Sequence, residues 1–321
     1  MPLFGTKPRE TEPSPFGRRS RPRTLFFVTG GHKCGTSWVS WMLDAHPEVV
    51  CRAAARFVGW EHSVDSWFAE EHFREWSAFH TIANTWLKDV DADEALVAVK
   101  RAAVEAVMML RTPEDAVAVG DKTPMFYLRD AEGLRRMFPD ARMISVIRDG
   151  RDACVSHAFH MLRKEEPHNW SNPGAYAAAR AHHFEGTGAP VPLFDGKVLR
   201  VAARNWLETA EGHARAAAAF GDDFLTLRYE DLLDDPYRIR EAFELLGVST
   251  SSRILEACVE PNRFENKSGG RDPGQADPGA FVRKGVAGDW RNHFRDQDKE
   301  LFKSIAGDAL MDLGYVESTD W

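Results

Sequence analysis

The chain has 321 residues, enough to bury a large core as one α/β domain or two small ones. Its 41 basic and 49 acidic side chains give a formal charge of −8, which excludes a general nucleic-acid binder working through a net basic face. An aromatic content of 11% with ordinary hydrophobicity excludes a disordered chain, and a small anionic ligand needs only a local basic pocket.

The four cysteines, Cys34, Cys51, Cys154 and Cys258, form no CxxC or metal-like spacing, so neither zinc nor a disulfide framework is expected. Free thiols suit a reducing, cytoplasmic compartment. No apolar run approaches the roughly 20 residues that span a bilayer. Residues 1–23 carry Arg18, Arg19, Arg21, Arg23 and several prolines but no apolar h-region. They read as a flexible basic leader, alternatively a basic contact arm, ahead of a single domain over residues 24–321.

In chain order, Leu25-Phe26-Phe27-Val28 is an apolar, β-rich run that turns through Gly30-Gly31 into a loop carrying Lys33 and Gly35. Thr36-Ser37-Trp38 then opens a helix. A strand, a glycine turn and a helix start form an anion seat, because free N–H groups and the helix dipole both favour negative charge there. Val49 to Cys51 is a short strand. The aromatic stretch from Trp60 to Trp86 either lines an acceptor pocket or packs helices. Asp93 to Leu110 is an amphipathic helix with Leu96, Val99, Ala103, Val107 and Leu110 on one face.

Val117 to Gly120 reads as a strand followed by Asp121-Lys122-Thr123-Pro124, and Asp130 to Phe138 as a helix. Arg142 to Ile147 is a buried strand running into Arg148-Asp149-Gly150 and a helix over Ala153 to Leu162. Lys164 to Lys197 is loop-rich, with a helix near Gly174 to His183, and suits a variable substrate lid. Val201 to Phe220 is a helix, Phe224 to Leu227 a strand, and Asp235-Pro236 starts a helix that stops at Gly247. Asn262 to Ala280 is expected to be a mobile loop, and the last helix covers about Asp296 to Leu313. Alternating strands and helices predict a three-layer α/β sandwich, a central parallel sheet flanked by helices, with ligands at the carboxyl ends of its strands.

Four separated motifs fall at those strand ends or in the late loop: Lys33-Cys34-Gly35-Thr36-Ser37-Trp38, Arg148 with Ser156, Tyr229-Glu230-Asp231, and Arg283-Lys284-Gly285. Two phosphate-sized seats plus an aromatic contact describe a nucleotide with phosphates at both ends. A Walker A motif needs Gly-Lys-Ser/Thr in succession. Here the lysine precedes the glycine, which argues against an ATP- or GTP-hydrolysing engine.

In this order the motifs resemble the family of sulfotransferases dependent on 3′-phosphoadenylyl sulfate (PAPS). Lys33 to Trp38 matches its KxGT(T/S)W loop, and Arg148 with Ser156 its 3′-phosphate pair. Tyr229 to Asp231 matches YED, and Arg283 to Trp290 matches RKGxxGDW. The resemblance implies a P-loop-like strand–loop–helix and transfer of a sulfuryl group from PAPS to a small-molecule or glycan hydroxyl or amine, releasing PAP, with no metal. It implies that Lys33, Thr36, Ser37 and the N–H groups of Cys34 to Ser37 hold the 5′-phosphosulfate. Trp38 and Tyr229 would contact adenine, and Arg148, Ser156, Arg283, Lys284 and Gly285 would hold the 3′-phosphate. Lys33 and Lys122 would be the catalytic cations, acting on charge that develops at the leaving oxygen.

The match breaks at the general base. Cytosolic members place a histidine two residues after the second lysine, where this chain has Pro124. Other members place a glutamate after the first helix, about where Ala54 stands. Three readings stay open. Another group supplies the base, Glu61 or His62 being nearest and His157 or His160 further off. The acceptor is acidic enough, as a phenol is, to need little help. Or the chain is a PAP- or PAPS-binding protein with impaired catalysis. His157 and His160, three apart, have no third partner that would suggest a metal.

Overall fold

The computed structural model describes residues 23–57 and 90–321. The leader up to residue 22 and the aromatic stretch holding Trp60, Glu61, His62 and Trp86 lie outside the described residues.

Five parallel strands, β1 (Thr24–Gly30), β2 (Val49–Ala53), β3 (Ala118–Lys122), β4 (Arg142–Ile147) and β5 (Phe224–Arg228), form one sheet in the order β2-β3-β1-β4-β5. The described helices preceding β4 are α1 (Thr36–Asp44), α2 (Ala92–Met109), α3 (Phe126–Arg129) and α4 (Ala131–Met137). Then come α5 (Gly150–Lys164), α6 (Pro173–His183), α7 (Gly196–Phe220), α8 (Tyr229–Asp234), α9 (Arg240–Leu246), α10 (Ser252–Val259), α11 (Phe264–Lys267) and α12 (Asp296–Asp312).

Both faces of the sheet are covered, which explains why its strands read as near-continuous apolar runs. Side chains alternate along β1. Phe26 and Val28 pack with Val39 and Met42 of α1, Phe243 of α9 and Leu255 of α10. Phe27 points the other way, into Tyr127, Leu128, Leu134 and Phe220 from α3, α4 and α7. A third cluster joins α5, α7 and α12 through Leu162, Leu199, Trp206 and Phe302. The helix ends follow local chemistry: Asp149 and Asp195 cap α5 and α7, and Gly247 closes α9 at φ 71°.

The apolar stripe of α2 is only partly the buried one. Burial falls on Ala95, Leu96, Lys100 and Val104, while Val99, Val107 and Leu110 are 37%, 40% and 70% exposed. Helical periodicity defines a stripe, but the neighbour decides which edge of it is covered, and here burial stops at Val104. The run Asn262 to Ala280 is not featureless either. It contains α11, and the Arg271 guanidinium braces it by donating to the carbonyls of Gln275, Val282 and Arg283.

Candidate active site

Four of the five strands deliver a motif to the same edge of the sheet. β1 runs into the loop His32 to Gly35, β3 ends at Lys122, β4 is followed by Arg148, and β5 by Tyr229. The first loop is shaped by unusual backbone. Lys33 lies at φ 65°, a left-handed conformation that costs a non-glycine residue energy and persists where the surroundings enforce it. Gly35 follows at φ 98°, and a Cβ there would sit 2.6 Å from the Tyr229 ring, so both backbone and packing require glycine. α1 then begins at Thr36 with no side-chain cap, leaving first-turn N–H groups for a ligand.

Lys33 stands among cations. Burial, followed by Arg163, Arg148, Arg283 and Lys122, lowers its pKa to about 8. Its Nζ lies 4.5 Å from the centre of the Phe281 ring. Lys122 Nζ is 3.4 Å from Ser37 Oγ, and burial lowers its pKa too. Among the described residues neither lysine has a carboxylate partner, so the pair is a ready counter-charge for an anion.

A further cation of the cavity is Arg148. It donates to the carbonyl oxygens of Lys33 (3.1 Å) and Val286 (3.3 Å) and stacks 4.3 Å from the Tyr229 ring centre. Its Nε is buried without a partner, and it too lacks an ion pair among the described residues. A buried guanidinium left in that state fits an anionic ligand. Ser156 of α5 shares its cavity wall. Arg283 and Lys284 reach the same cavity but are tied to Asp289, each at 2.6 Å. Asp289 is itself 3% exposed, and although burial raises its pKa, hydrogen bonds with His293, Lys284, Arg283 and Asn292 hold it far below the carboxylate range. Gly285 turns at φ 66°, its Cα against the Phe264 ring, which a Cβ would meet at 2.2 Å. Asp152 of α5 anchors the motif's end by accepting from the N–H groups of Gly288 and Trp290.

These groups line one cavity of about 290 Å³. Lys33, Gly35, Thr36, Ser37, Trp38, Lys122, Arg148, Ser156, Tyr229, Arg283, Lys284 and Gly285 all contribute to it. Cys34 does not. Its thiol is buried in the core beside α5, and its N–H donates to Gly31 at 3.3 Å. Trp38 is held by an indole hydrogen bond of 2.7 Å to Asn262 and meets Tyr229 edge-on. Glu230 turns away to accept from the Asp149 N–H and Tyr315, and Asp231 pairs with Arg238.

Of the two usual base positions, Pro124 lies in the wall and Ala54 does not. The segment Ala54 to Arg56 is stitched to Lys122 O, Asp121 and Thr123. The buried Asp121 carboxylate that helps to hold it accepts from Thr123 and Tyr127 at 2.6 Å each. The structure adds wall residues that sequence reasoning missed: His32, Trp41, Phe264, Lys267 and Phe281. His32 carried a usable signal in being next to Lys33. The others meet the cavity only through tertiary packing.

A parallel sheet covered by helices, with a cation-lined cavity at its carboxyl edge, defines the class of the fold as α/β. The chain belongs to the sulfotransferase family, whose model matches residues 26–251. It is 25% identical over 180 residues to human sulfotransferase 1C2, covering 52% of this chain and 53% of that protein. It is also 25% identical over 190 residues to a flavonol sulfotransferase-like protein of Flaveria bidentis, covering 55% and 57%. The chain thus spans little more than half the length of these relatives. By structure it resembles mouse sulfotransferase SULT7A1 complexed with PAP, with a TM-score of 0.51, 14% identity and coverage of 92% and 87%.

Proposed function

We propose that the chain transfers a sulfuryl group from PAPS to a hydroxyl of a small-molecule or glycan acceptor and releases PAP. The observation that carries this reading is one cavity that gathers Lys33, Lys122, Arg148 and Ser156 on its wall. A nucleotide bearing anionic groups at its 5′ and 3′ positions matches that set of cations, and Trp38 with Tyr229 offers aromatic surface in the same cavity. The PAP named with the mouse structure supports the choice of ligand. PAPS supplies the activated sulfuryl group. The protein's own residues hold the phosphates, orient the acceptor and stabilise charge at the leaving oxygen through Lys33, Lys122 and the first-turn N–H groups of α1. Arg283 and Lys284 add charge at the 3′ end, moderated by Asp289. The four buried, unpaired cysteines suit a reducing compartment such as the cytoplasm.

Calorimetry with PAP, AMP and ATP, together with transfer from radiolabelled PAPS to a phenol panel, tests the reading. PAP should bind at least about tenfold more tightly than AMP, a difference of about 1.4 kcal/mol. Arg148→Ala should remove most of that difference while changing AMP affinity little. Tighter binding of ATP than PAP, or equal losses for PAP and AMP in Arg148→Ala, contradicts the assignment.

A further inference from the structure

We propose that His32 is the general base that takes the proton from the acceptor. The inference rests on the sulfotransferase reading and names the residue which that reading lacks. With Pro124 in the wall and Ala54 outside it, the candidates for proton acceptor are the other described residues of the cavity.

The described groups of the cavity wall that can titrate are His32, His160, Lys33, Lys122, Tyr229, Lys267 and Lys284. Lys33 and Lys122 act as cations, and Lys284 is bound to Asp289. Lys267 sits over the Trp41 ring and Tyr229 under Arg148, both with the aromatic residues of the nucleotide end. Among the described residues the choice therefore lies between two histidines. His160 Nδ1 is 3.0 Å from an Arg163 guanidinium nitrogen. A guanidinium only donates, so Nδ1 accepts, and the neutral ring carries its proton on Nε2. That ring has no lone pair left for substrate. His157 is behind the wall, its ring centre 5.8 Å from that of His32.

His32 meets every requirement. It follows β1 immediately before Lys33, so one loop places a base beside the cation of the transferring group. Its side chain is open to the cavity, and neither ring nitrogen has a hydrogen-bond partner among the described residues. Among the described residues the charges that act on it most are positive, Arg129 itself being paired with Glu208. Lys33 stands beside it, Arg129 of α3 and Arg56 after β2 face it, and His157 of α5 lies against it. Burial, then Arg129, Lys33 and Arg56, lowers its pKa, which keeps the imidazole neutral at pH 7.

The acceptor oxygen forms a bond to sulfur as its O–H proton passes to a ring nitrogen of His32. The bond from sulfur to the 5′-phosphate oxygen breaks with its electron pair, giving PAP and a sulfate ester. The imidazolium then returns its proton to water.

The test compares the protein with His32→Gln and His32→Ala. PAP affinity, read by calorimetry, should stay within about threefold. Transfer to a weakly acidic phenol should fall about 100- to 10,000-fold, the range of a lost general base. The loss should shrink for an acidic nitrophenol, which is already ionised, and the acid limb of the pH–kcat/KM profile should vanish. Independently of turnover, 15N-histidine spectra of the PAP complex, with His32 identified by its loss in either variant, should show a neutral ring at pH 7. Intact transfer in both variants, or a charged His32 at pH 7, overturns the proposal while leaving the family reading in place. Failure of the unsubstituted protein to bind PAP overturns both.

Discussion

Lys33 shows how much chemistry one backbone conformation can place. Its left-handed φ of 65° turns the side chain into a cavity where burial and four neighbouring cations bring its pKa to about 8. At that pH the free protein has a substantial fraction of neutral Lys33. A bound phosphate favours the charged form, so its pKa rises on binding and a proton is taken up. The sign is definite: PAP affinity falls as pH rises through 8, and calorimetry at pH 8 in buffers of different ionisation enthalpy should detect net proton uptake. Lys33→Ala should abolish that uptake. Uptake that persists in the variant would place the titrating group elsewhere.

At the scale of elements, the late loop brings Arg283 and Lys284 to the cavity while their charge is partly balanced. Asp289 pairs with both, and its own side chain is 1% exposed against 11% and 22% for its partners. Removing it leaves two partly buried cations uncompensated, so Asp289→Ala should lose about 1–3 kcal/mol of stability near neutral pH, measured by urea unfolding. Because the folded carboxyl titrates below its ordinary 3.8, its contribution is fully present above that pH and is lost as pH falls toward the folded value. The protein should therefore lose its advantage over Asp289→Ala on acidification below pH 4. A constant difference from pH 7 to 3 would refute that linkage. This element was only half legible in advance. The Gly, Pro and Asp content of residues 262–280 does mark a loop, but the Arg271 brace depends on the loop folding back so that the carbonyls of Gln275, Val282 and Arg283 converge on one guanidinium. Similarly, α10 drew no expectation from composition, although it packs Leu255 and Cys258 into the core under α1.

Over the whole molecule, the sheet carries the geometry of the site. Lys33 follows β1 and Lys122 ends β3, so the register of these two strands sets the distance between the two cations. Phe26 pairs with Gly120 in that register, and a Cβ on Gly120 would lie 2.4 Å from the Phe26 ring. Gly120→Ala should cost about 1–3 kcal/mol in denaturant unfolding through overpacking. It should also impair transfer more than PAP binding, because the arrangement of both lysines is disturbed. Unchanged stability would show that the strands separate freely at this point.

The sequence alone determined the alternation of strands and helices, the parallel class of the sheet and the four motifs at strand ends. Apolar runs, glycines and caps act locally, and a family's motif order survives in the linear chain. It also exposed the vacancy of the two usual base positions, Ala54 and Pro124. Tertiary structure decided which edge of α2 is covered, that Cys34 faces the core, that Asp289 holds Arg283 and Lys284, and that His32 opens into the cavity while His160 is engaged by Arg163. The first two and the opening of His32 depend on side chains far apart in the chain meeting in space, while the Asp289 and Arg163 contacts are short-range but need the loop and helix folded to bring their side chains together.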